Sequence, residues 1–125
     1  MRLLAATLGD HPVVCALMAS SAGVLDHNVS PILVGEYKTG AVGHTSQLAD
    51  LAGSAVPELD EPRAYRFASY VFIAVAGLWP IARPSPVVRV AARDPALSTV
   101  IVPFVESMAQ LLAALLRGLT SPANT

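Results

Sequence analysis

The sequence predicts an all-α fold, an antiparallel bundle of about five to six helices. Three observations carry that expectation. Apolar residues recur at steps of three and four through most of the 125 residues. Short polar residues and prolines fall together where helices would start, at Asp10/Pro12, Ser30-Pro31, Asp60/Pro62 and Asp94-Pro95. No run alternates with the period of two that a half-buried strand requires, and no internal repeat is visible.

The first clear helix is expected from Pro12 to His27. Asp10 caps its start, Pro12 suits the first turn, and Asn28 ends it. Val14, Leu17, Met18, Ser21, Val24 and Leu25 share one face. The second helix starts at Ser30-Pro31 and stops at Val56-Pro57, where the residue before proline avoids helical geometry. Leu33, Tyr37, Ala41, His44, Leu48, Leu51 and Ala55 make a single stripe on it. Gly35, Gly40 and Gly43 interrupt that stripe and should leave the helix pliable or bent.

The third helix opens at Asp60-Glu61-Pro62, where cap, early acid and early proline agree. One face carries Ala64, Phe67, Ala68, Val71, Phe72, Val75, Leu78 and Trp79; the other carries Tyr70, Ile73, Ala74 and Gly77. Both are apolar, so this helix is expected to be covered on all sides. Pro80, Pro84 and Pro86 then mark a rigid turn. A short lead-in, Val87 to Ala92, precedes a last helix capped at Asp94-Pro95, with apolar residues from Leu97 to Leu119 at helical spacing. Pro103 should kink or restart it.

Composition and charge exclude several classes. Hydrophobic residues make up 54% and charged residues 14%, which is far from a disordered chain. This much apolar surface in one domain should meet a partner, a ligand or a membrane. A net charge of −1 with no basic run argues against nucleic-acid contact by this chain alone, because such binding needs phosphate-neutralising cations. A single cysteine, Cys15, excludes an internal disulfide and suits a cytoplasmic setting. The most apolar stretch, Phe67 to Ala82, falls short of the roughly 20 residues of a membrane span and has an arginine at each end. No membrane association is expected.

No catalytic motif is present: neither H-E-x-x-H, nor G-x-S-x-G, nor a P-loop. Catalytic residues, cofactors and metal sites are accordingly expected to be none. His11 and Cys15 share a helix face, yet two ligands do not make a site. The expected assignments are a surface histidine and a buried cysteine, with His27 at a helix C-terminus. His44 and Tyr37 lie on an apolar stripe, where a core role and a polar anchor in a ligand pocket both fit. Trp79 closes the third helix's apolar face, as core or as the floor of a pocket.

Two strings are distinctive: Gly23-Val24-Leu25-Asp26-His27-Asn28-Val29-Ser30, and Ala76-Gly77-Leu78-Trp79-Pro80-Ile81-Ala82-Arg83-Pro84-Ser85-Pro86 followed by Asp94-Pro95. With the order of the segments, they make the chain resemble the C-terminal domain of TetR-family transcriptional regulators, from about Asp10 to Leu119. Residues 1–9 resemble the remnant of the family's linker helix, 10–120 the ligand-binding and dimerisation domain, and 121–125 a tail. The resemblance implies small-molecule sensing and homodimerisation, with operator DNA read by a separate N-terminal helix-turn-helix. The effector is expected to be an unknown small apolar molecule. The three glycines depart from the family's pattern.

Helix-face arithmetic nominates Met18, Tyr37, His44, Phe72 and Trp79 for ligand binding. The doubly apolar third helix nominates Tyr70, Ile73, Ala74 and Gly77 for the face between two copies, with Ala109 and Ala113 on the last helix. An alternative reading is a stand-alone interaction protein that heterodimerises with a full-length regulator or sequesters a ligand.

Overall fold

The computed structural model describes residues 1–21 and 30–122. Among these residues there are six α-helices, one 3-10 helix and no strand. Helix α1 (Arg2–Gly9) is followed by α2 (Pro12–Ser20) after a turn of 87°. Asp10 does not cap α2 as expected. Its backbone N–H donates to the carbonyls of Ala6 and Thr7 and closes α1. His11 is the N-cap, and its side chain makes no capping bond to α2. The reason is Pro12: it takes the first helical position and holds the residue before it out of helical geometry. Gly9 is needed where α1 meets the last helix, because a Cβ there would lie 2.8 Å from Val105 Cγ2. The expected continuation of α2 to His27, and its end at Asn28, lie outside the described residues.

Helix α3 (Pro31–Ala55) runs unbroken through its glycines. Ser30 Oγ accepts the Leu33 N–H at 3.3 Å, which satisfies one of the unpaired donors of the first turn. The covered side of α3 is rotated from the expected stripe. Thr45 and Ala49 are buried and Ala41, Leu48 and Ala52 half-buried, while Leu33, Leu51 and Ala55 are exposed. Small residues decide this: Gly53 and Ala64 bring α3 and the next helix so close that a Cβ on Gly53 would sit 3.6 Å from the Ala64 Cβ. By contrast, a Cβ added at Gly35 or Gly43 meets nothing within 4 Å. Gly35→Ala and Gly43→Ala are therefore expected to stabilise the domain by roughly 0.5–1 kcal/mol each. Thermal unfolding followed by circular dichroism should move up by roughly 3–5 °C per kcal/mol. A lower midpoint would mean the glycines serve a conformation other than this helix.

Helix α4 (Glu61–Ala82) is the central element and packs against α2, α3 and α6. Asp60 Oδ1 accepts the Arg63 N–H at 3.0 Å and its carboxylate also meets the Arg63 guanidinium at 3.6 Å. Ala64, Phe67, Ala68, Val71, Val75 and Trp79 are buried along one side. The helix runs through Pro80 rather than turning there. In the last turn a proline forfeits a single backbone bond, and the helix is ending anyway. The expectation of cover on all sides is also corrected, since Ile73 is 66% exposed. By length and composition α4 is long and apolar enough to cross a membrane, but its large apolar side chains form the core of this bundle.

Helix α5 (Pro86–Ala91) and the 3-10 helix Pro95–Val100 follow. The helix expected from Asp94 restarts at Pro103, one of the two outcomes expected of that proline, and its first part is a 3-10 turn rather than α-helix. Asp94 caps a 3-10 turn by accepting the Ala96 N–H, and Pro103 is the N-cap of α6 (Phe104–Thr120). Leu97, Val100 and Ile101 stay exposed, so the apolar periodicity reports burial only from Phe104 onward. Met108, Ala109, Leu112 and Leu119 of α6 are buried against α1 and α4.

Candidate ligand cleft

Helices α2, α3 and α4 part on one side to leave a cleft of about 860 Å³. Val14, Leu17 and Met18 come from α2, Tyr37, Ala41 and His44 from α3, and Phe72, Ile73 and Ala76 from α4. The cause is side-chain size. Gly40 and Ala41 leave α3 thin where it passes Phe72 and Ala76, so the helices cannot close the gap with their own atoms. Four of the five nominated ligand residues, Met18, Tyr37, His44 and Phe72, are brought together here. Trp79 does not line the cleft. It is buried with its ring edge-on to Phe104 at 5.1 Å and the Arg83 guanidinium over it at 4.4 Å.

The polar equipment of the cleft is limited. Thr45 Oγ1 donates to Ala41 O at 2.8 Å, Ser69 Oγ to Tyr65 O at 3.1 Å and Ser21 Oγ to Met18 O at 3.0 Å. These hydroxyl protons are committed to their own helices, so a ligand meets their lone pairs. Tyr37, His44, Lys38 and Glu36 supply the remaining polar groups, with the Lys38 ammonium 5.7 Å from the Tyr37 ring centre. An apolar hollow with a few polar groups at its wall is what binds and orients a small organic molecule.

Lys38, Glu36, Ala41 and Thr45 were not nominated from the sequence. Ala41 lies on the stripe through Tyr37 and His44 but carries only a methyl group; Glu36, Lys38 and Thr45 lie beside that stripe, and only the position of α4 shows that this neighbouring face lines the cleft too. Of the nominated face between copies, Ile73 and Gly77 are exposed, Tyr70 and Ala113 half-buried, and Ala74 and Ala109 buried within the protomer. Cys15 is fully buried and its thiol donates to Leu8 O at 3.2 Å. Burial raises its pKa, against the opposing charge of Arg83. His11 is exposed, with Nδ1 2.7 Å from Thr7 O. His27 lies outside the described residues. Among the described residues no cluster of His, Cys, Asp and Glu could hold a metal ion.

A helical bundle with an apolar cleft, and with no strand and no metal cluster among its described residues, defines an all-α bundle domain as its class. The family follows from a direct match: the model for the tetracyclin repressor-like, C-terminal domain covers residues 1–123. The chain belongs to that family of regulator domains. No curated protein and no solved structure matches it.

Proposed function

We propose that this domain is the sensing and dimerising half of a transcriptional regulator. Its cleft takes a small apolar effector, a second copy pairs with it along α4, and DNA is read by residues other than these. The observation that carries the reading is Ile73. It lines the cleft and is 66% exposed, and Gly77, one helical turn further along α4, is exposed without lining the cleft. One side chain therefore touches both the ligand space and the face offered to a partner. An effector that moves Ile73 changes how two copies pack, and the coupling is reciprocal. Tyr70 and Ala113 flank that face, while Ala74 and Ala109 support it from inside.

Catalysis does not belong to this reading. His44 makes no hydrogen bond to any hydroxyl among the described residues, and the cleft's serine and threonine protons go to backbone carbonyls. The domain works in the cytoplasm, and residues 1–9 lead towards the DNA-reading part.

The test joins ligand and partner. Sedimentation at tens of micromolar is expected to give a dimer, and an apolar fluorescent dye such as anilinonaphthalene sulfonate is expected to bind once per protomer. Gly77→Arg should yield a folded monomer, because the protomer leaves open space around that position. A monomeric wild type that binds no dye sinks the proposal.

A further inference from the structure

The stretch between α4 and α6 is built but unpacked. From Pro80 to Ser107 no residue is buried. Val87 is 79% and Val90 56% exposed, and Leu97, Val100 and Ile101 are exposed beside them. The backbone is nonetheless shaped locally. Ser85 Oγ accepts the Val88 N–H, Asp94 Oδ1 accepts the Ala96 N–H, and Arg89 Nε donates to Pro84 O at 3.2 Å. Pro84, Pro86, Pro95 and Pro103 restrict it further. A segment ordered by its own caps, with its apolar side chains outward, has little entropy left to lose on docking.

Charge tells what it docks on. The segment and its entry carry Arg83, Arg89 and Arg93 against Asp94. Around the other end of α4, Asp50 on α3, Glu58 in the connection, Asp60 at the N-cap and Glu61 stand against Arg63 and Arg66. Asp50 and Glu61 line a separate groove of about 570 Å³ between α3 and α4, together with Tyr65 and one cation, Arg66. Among the described residues, Asp50, Glu58, Glu61, Arg89 and Arg93 form no ion pair within the chain. The two ends stand about 33 Å apart, the length of a 22-residue helix, so they cannot meet in one protomer.

If two α4 helices pack antiparallel at Ile73 and Gly77, the basic segment of one copy arrives at the groove of the other, where Asp50 and Glu61 outnumber Arg66. The area argument agrees. A stable interface takes about 20–30 residues a side, and Tyr70, Ile73 and Gly77 are far too few. We propose that residues 86–101 form an arm that clasps a second copy of this chain. Arg89 and Arg93 pair with Glu61 of the partner subunit and Asp50 of the partner subunit, while the valines cover the groove's rim. This rests on the pairing along α4 proposed above, and it adds which segment reaches across and where it lands.

The test is a crosslink. Glu61→Cys and Arg89→Cys are placed in one chain. Their Cα atoms cannot approach within the roughly 7 Å a disulfide allows inside a protomer, and native Cys15 is buried. Mild oxidation is expected to give a covalent dimer on a non-reducing gel, and neither single variant should do so. Separately, Arg89→Glu with Arg93→Glu should weaken the dimer at least about tenfold through like-charge contact. Adding Asp50→Lys and Glu61→Lys in the same chain should restore it. A wild-type dimer that neither crosslinks nor responds to the charge changes overturns the arm and leaves the pairing along α4 standing. A wild type that stays monomeric by sedimentation overturns both.

Discussion

Trp79→Ala is expected to destabilise the domain by about 3–5 kcal/mol. The side chain is 9% exposed and sits at the end of the α4 core, edge-on to Phe104 and beneath Arg83. Removing the indole leaves a cavity that α4 and α6 cannot close without moving their backbones. It also ends an aromatic pair of about 0.5–1.5 kcal/mol and a cation–π contact of about 0.5–1 kcal/mol. Domains of this kind hold about 5–15 kcal/mol in all, so the variant should unfold at a much lower urea concentration. Trp79→Phe should avoid most of that loss, because a ring still faces Phe104. Equilibrium urea unfolding followed by circular dichroism measures both. Near-equal stabilities of the alanine variant and the wild type would mean that Trp79 is not core. Its nomination for the ligand pocket would then regain force.

Blocking the cleft is expected to abolish ligand binding while leaving the fold intact. Ala41 and Ala76 face each other's helices across the hollow. Ala41→Trp with Ala76→Phe puts two rings where an apolar ligand would lie. A ligand excluded from about 100 Å² of apolar surface forfeits about 2.5 kcal/mol, roughly seventyfold in affinity. Dye titration should show that loss at an unchanged melting midpoint. Equal affinity in the blocked variant would place the dye elsewhere. His44→Ala in the same assay separates a polar anchor from a bystander. If His44 is an anchor, its loss lowers affinity for ligands bearing an acceptor or donor and leaves purely apolar ones unaffected.

Helix starts were legible in the sequence because they are local chemistry. Ser30 with Pro31, and Asp60 with Pro62, satisfy the first-turn donors within three residues, and the structure has those caps. The core face of α4 was legible for the same kind of reason. Large side chains at Phe67, Val71, Val75 and Trp79 recur at one helical angle and have nowhere else to go. The family resemblance was legible in the Leu78-Trp79-Pro80 string and is matched by the family model.

Other features depend on which helices become neighbours, and no local pattern encodes that. Leu51 and Ala49 are two positions apart on α3, yet α4 covers the alanine and leaves the leucine 69% exposed, because small residues let helices approach. Leu97 and Val100 have helical spacing to Phe104, but Pro103 ends the register and no neighbour covers them. The cleft is the clearest case. Met18, Tyr37, His44 and Phe72 each sit on a helix face that a sequence can mark as apolar. A face becomes a wall only when Gly40 and Ala41 on one helix oppose Ala76 on another and leave space between them. Local hydrogen bonding and side-chain period set where helices begin and which side turns inward. Packing between segments far apart in the chain sets which inward side meets protein and which meets an open hollow.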